Sequence, residues 1–165
     1  MRFLLLLVAA QLVALGACGA AEMPGFYTRS VSASADVVYD AVYHSLEQDR
    51  FWVIAEPNIG MTLARNEKRW GEDYNRNGFD AIRSMVFCHP WYANQLSNQA
   101  PEALALCPFT VTLLQAGDEA VVTFARPTAV VTSGPALALV QEIEAGIVTA
   151  LDRALDEVGE QDAER

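Results

Sequence analysis

The chain has 165 residues, with 11 basic against 21 acidic side chains and a formal net charge of −10. An acidic surface repels phosphate backbones, so no nucleic-acid partner is expected. The length suits one domain with a real core, and three cysteines with two histidines leave few ligands for a soft-metal or thiol centre.

In chain order, residues 1–18, MRFLLLLVAAQLVALGAC, read as a bacterial export leader. Arg2 gives a positive start. The apolar run Phe3 to Leu15 falls short of a membrane span of ~20 residues but suits the core of a signal peptide. Leu15-Gly16-Ala17-Cys18 has the form of a lipobox, so residues 1–17 are expected to be removed and Cys18 to carry a diacylglyceryl group. Anchoring by more than one lipid chain is stable. Gly19 rather than Asp follows the cysteine, which points to the outer membrane, on its periplasmic side. A cut near Ala20 or Ala21 would instead leave a soluble periplasmic protein. Residues 18–25 form a short lipidated tether, and 26–158 form the single folded domain.

Phe26 to Val31 alternates as a first strand. Ser34 then caps a helix with apolar residues at Val38, Val42 and Leu46, and Asp36 suits its first turn. Phe51 to Ala55 reads as a buried strand, Pro57-Asn58-Ile59-Gly60 as a turn, and Met61 to Arg65 as renewed extended chain. Glu56 is a strand-end carboxylate with no identified partner.

Asn66 to Asp80 is polar and irregular, and it holds a calcium candidate. Asp73, Asn75 and Asn77 place oxygens at positions 1, 3 and 5 of a calcium loop, with Gly78 at position 6 and Asp80 nearby. Position 12 falls on Ser84 rather than a bidentate Glu, so the same stretch also reads as a polar surface loop.

Ala81 to Cys88 is the next strand, and His89-Pro90 opens a short helix to about Asn98. Phe109 to Leu114 and Ala120 to Ala125 form a hairpin around Gly117-Asp118. After Gly134-Pro135 a long helix follows, with the stripe Val140, Ile143, Ile147, Leu151, Ala154 and Val158. The acidic stretch 159–165 reads as a disordered tail. These elements define an α+β class: a two-layer sandwich of two long helices on a mainly antiparallel sheet of about five or six strands.

Several strings, in this order, resemble the family called domain of unknown function 302. They are FWVIAEPNIGMTLA at 51–64, MVFCHP at 85–90, LALCPFTVTL at 104–113 and FARPTAVV at 124–131. The similarity runs from about Tyr27 to Glu157. It implies a β-α-β(4)-α sandwich with a TATA-binding-protein-like outline, frequent pairing as a homodimer, and no established reaction. The chain departs from the family pattern at His89, where Asn is usual, at Cys107, which precedes rather than follows a proline, and in the longer segment 66–80.

With Cys18 lipidated, Cys88 and Cys107 remain. In an oxidising compartment such a pair reads first as a disulfide, worth about 3 kcal/mol for a loop of this size, or as two buried thiols. The family resemblance tempers the disulfide, because members without a leader tend to carry both cysteines. The alternative is a thiol-redox, haem or soft-metal site of Cys88, His89 and Cys107, suited to zinc or copper but one ligand short of a closed zinc site. Adjacent strand residues face opposite ways, so Cys88 and His89 converge only if the strand ends between them. His44 reads as a surface residue, and Trp52, Trp70 and Trp91 as packing or interface residues. No nucleophile elbow, phosphate loop or zinc-protease motif occurs. The sequence therefore predicts a lipid-anchored, non-enzymatic binding module, with a thiol- or metal-dependent redox module as the alternative.

Overall fold

The computed structural model describes residues 23–163; the leader and Cys18 lie outside the described residues. The first strand, β1 (Phe26–Ser32), leads into α1 (Ala35–Gln48), then β2 (Trp52–Ala55), α2 (Ile59–Ala64) and α3 (Glu67–Trp70). Next come β3 (Ala81–Cys88), α4 (Pro90–Gln99), a 3-10 segment Pro101–Leu106, β4 (Phe109–Ala116), β5 (Glu119–Ala125) and α5 (Leu137–Ala163). The sheet is ordered β1-β5-β4-β3-β2, and every neighbouring pair is antiparallel. The architecture is α+β, as the sequence predicts.

One face of the sheet makes the core. Alternation puts Phe109, Val111 and Leu113 of β4 inward, beside Val122 and Phe124 of β5 and Met85 and Phe87 of β3. They meet Val38, Val42 and Leu46 of α1 and the whole predicted stripe of α5. Each fully buried side chain of this size stabilises the fold by about 1.5–3 kcal/mol. Ser34 caps α1 by accepting from Val37 N. Helices α1 and α5 lie close because Ser45 is small and donates to the Ala150 carbonyl at 2.7 Å. Arg153 of α5 then reaches the Ser45 carbonyl and Asp49, each at 2.8 Å.

Three expectations are corrected. Met61 to Arg65 is not extended chain but lies in and beside α2, and the five strands fall within the expected five or six. Asn58 caps α2 by accepting from Met61 N at 2.9 Å, and this local bond turns the chain into a helix. Gly60 permits close packing there, since a Cβ would sit 3.2 Å from Ile82 N. Second, the segment 66–80 holds α3 and a 3-10 turn at Gly71–Asp73. Third, the helical trace of α5 runs through Ala163, past residue 158, because nothing in Glu160-Gln161-Asp162-Ala163 breaks a helix.

The second face of the sheet carries a different composition. Register aligns Thr28, Thr123, Thr112 and Ser84 in one row across β1, β5, β4 and β3. Thr28 and Thr123 are hydrogen-bonded at 3.3 Å, Ser84 and Thr112 at 2.8 Å. A parallel row runs Ser30, Val121, Leu114 and Ile82. At the two edges Phe26, Trp52 and Ile54 are 44%, 43% and 61% exposed.

Candidate functional site

The thiols sit where β3 ends and β4 begins. The last β3–β4 pair is Phe87 with Phe109, so Cys88 lies one residue beyond it and Cys107 two residues before β4. Cys88 pairs on its other side with Trp52 of β2, which puts both side chains on the face opposite the core. The intervening chain leaves as α4, with Pro90 in its first turn, and returns through the 3-10 segment, where Cys107 N donates to the Leu104 carbonyl. The Cys107–Pro108 peptide is cis.

Both cysteines are half-buried and unbridged. Burial pushes the Cys107 thiol up to about 12, and the neighbouring Cys88 sulfur adds to the rise through a hydrogen bond and its charge. The Cys88 sulfur is therefore within interaction range of Cys107.

His89 is not brought to them as a third ligand. Its ring packs among aromatics, 5.4 Å from Phe51 and 4.6 Å from Tyr92. Its Nδ1 is buried without a hydrogen-bond partner. Burial lowers its pKa, and Arg50 contributes in the same direction. Among the described residues no three His, Cys, Asp or Glu side chains converge as a metal set.

The calcium candidates are engaged separately. Asp73 pairs with Arg76. Asn75, at φ 44°, accepts from Phe79 N and donates to its carbonyl, both at 2.9 Å, closing the turn on itself. Asn77 is exposed. Asp80 accepts from Gly117 N at 2.9 Å, tying the loop to the β4–β5 hairpin. Ser84 belongs to the hydroxyl row of the sheet.

A second cluster escaped the sequence reading. Tyr39 donates to Glu56 at 2.8 Å, while the Arg83 guanidinium lies 3.6 Å from the Tyr39 ring centre and reaches Asp36 at 2.9 Å. Burial pushes the Tyr39 phenol up to about 12, with Glu56 adding to the effect. Tyr39 shares the inward face of α1 with Val38 and Val42, and Arg83 shares the parity of Met85 and Phe87 in β3. Those periodicities were the available signal. Beside Arg83 an open cavity of about 690 Å³ is rimmed by Asp36, Asp80 and Asp118, at the opposite end of β3 from the thiols.

A five-stranded antiparallel sheet, covered by two helices on one face and carrying two adjacent thiols at one end, defines the class. Residues 27–158 match the family described as "Domain of unknown function DUF302", and the chain belongs to that family. A crystal structure of an uncharacterised conserved DUF302 protein from Bacillus stearothermophilus is similar, at 21% identity and a TM-score of 0.68. The match covers 80% of this chain and 99% of that one, and it supports the fold. No curated protein matches the chain.

Proposed function

We propose that this protein is a lipid-anchored periplasmic binding module with no catalytic set of its own, held at the outer membrane through Cys18, and that two copies pair through the second face of the sheet. The observation that carries the pairing is the row Thr28, Thr123 and Thr112 with its apolar neighbours Val121 and Leu114; Ser84, which ends the row, is already buried in the single chain. In a chain of net charge −10 these two rows contain no charge. Hydroxyls both donate and accept, so one such row is complementary to a second copy of itself, as a two-fold interface requires. Phe26 and Trp52 supply exposed aromatic area at the rims.

Sedimentation of the full chain in detergent tests the pairing, with Thr110→Arg as the variant. Thr110 is exposed and pairs with Val86 next to the hydroxyl row. The wild type is expected to sediment as a dimer and the variant as a monomer with an unchanged melting temperature. A monomeric wild type ends the pairing proposal. For the anchor, Cys18→Ala is expected to move the protein from the membrane fraction to the soluble periplasmic fraction in its host. Retention on the membrane would overturn that assignment.

A further inference from the structure

We propose that Cys88 and Cys107 form a reversible disulfide, a redox latch that fastens the α4 excursion to the end of the sheet. Three observations converge on it. The thiols lie at the same end of the paired strands β3 and β4, Cys88 one residue past the last pair and Cys107 two residues before β4, and they are unbridged. They flank one continuous excursion, residues 89–106, that leaves β3 and returns to β4. That excursion is also one wall of a cleft of about 320 Å³, formed by Ala103 and Leu106 against Val131, Pro135 and Ala136. Closing the bond pins both ends of that wall at one point of the sheet.

The co-reactant is a disulfide, either a small R–S–S–R such as oxidised glutathione or the disulfide of an oxidoreductase. Either thiol can open the exchange. When Cys88, the strand-end residue paired with Trp52, does so, its thiolate attacks one sulfur of R–S–S–R, the S–S bond breaks, and the first RS⁻ departs and takes up a proton. Cys107 then loses its proton and attacks the Cys88 sulfur of the mixed disulfide, expelling the second RS⁻. The two protein thiols lose two electrons and two protons, and R–S–S–R gains them as two R–SH. A dithiol reverses the sequence.

The latch lies at one end of the pairing face but requires neither the lipid anchor nor a second copy, so its failure leaves both proposals standing. The test equilibrates the folded full chain with oxidised glutathione, then maps its peptides by mass. A Cys88–Cys107 link is expected, removed by dithiothreitol, with slower hydrogen exchange across 89–106 and a melting temperature raised by several degrees. In the single variants Cys107→Ser and Cys88→Ser, the remaining cysteine of the pair is expected to retain glutathione as a stable mixed disulfide. Two free thiols in the treated folded protein, stable glutathione on both cysteines, or a link through Cys18 would each overturn the latch. If a serine variant does not fold, the wild-type peptide map decides alone.

Discussion

Glu144 shows how one buried charge holds two parts of this chain together. It is 8% exposed on α5 and accepts from Thr128 N at 3.0 Å, Thr128 Oγ1 at 2.6 Å and Arg126 at 2.8 Å. Burial opposes its ionisation most strongly, but the Thr128 and Arg126 bonds together outweigh burial and lower its pKa. A carboxyl whose folded pKa is depressed contributes stability that is complete above its unfolded value, about 4.3, and lost as pH falls through the folded value. Glu144→Ala removes this anchor and leaves its donors unpaired, so a loss of about 3 kcal/mol is expected in urea unfolding at pH 7. Glu144→Gln is expected to flatten the acid limb of stability against pH, and an unchanged acid limb would refute the assignment. His89 has the same sign at higher pH. Its lowered pKa makes stability fall as pH drops below about 6.5, and His89→Phe should remove that dependence while keeping the ring contacts with Phe51 and Tyr92. A persisting slope between pH 6.5 and 5 in the variant would assign it to another group.

At the scale of elements, periodicity made the long helices and the central strands readable. Val38, Val42 and Leu46, and the stripe of α5, are buried where their spacing puts them. The hairpin followed from alternation around Gly117-Asp118. Short α2 was not readable, because six residues hold less than two turns of pattern and Asn58 serves equally as a turn residue or a cap. The cysteine neighbourhood was half legible: the spacing located both thiols at strand ends, but only the folded chain shows that those ends are neighbours and that the imidazole packs against Phe51 and Tyr92. Two glycines separate the competing effects in helices. Gly159 in α5 has open space, with Val31 Cγ2 at 3.9 Å from an added Cβ. Gly159→Ala should therefore gain about 0.5–1 kcal/mol from helix propensity. Gly60→Ala gains the same propensity but presses its Cβ to 3.2 Å from the Ile82 backbone nitrogen, which the sheet holds in place. It is expected to destabilise. Chemical denaturation of the two variants side by side checks the contrast, and equal gains at both sites would show that β3 yields to α2.

For the whole molecule, charge and surface pull in opposite directions. Each copy carries a net charge of −10, so two copies repel at long range. The rows that would meet, Thr28 to Thr112 and Ser30 to Ile82, are uncharged, so contact itself offers no ion pair to offset the repulsion. Added salt screens the repulsion while leaving hydroxyl and apolar contacts intact, since the screening length shortens from ~30 Å at 0.01 M to ~10 Å at 0.1 M. Pairing through this face should therefore tighten as salt rises from about 0.01 to 0.1 M, with the dissociation constant falling severalfold. An interface built on ion pairs would show the reverse. Sedimentation equilibrium at a series of salt concentrations separates the two. Dimers that dissociate as salt is added would move the interface away from the sheet and towards the arginine and aspartate side chains of β1 and α5, where Arg29 meets Asp152 and Asp156.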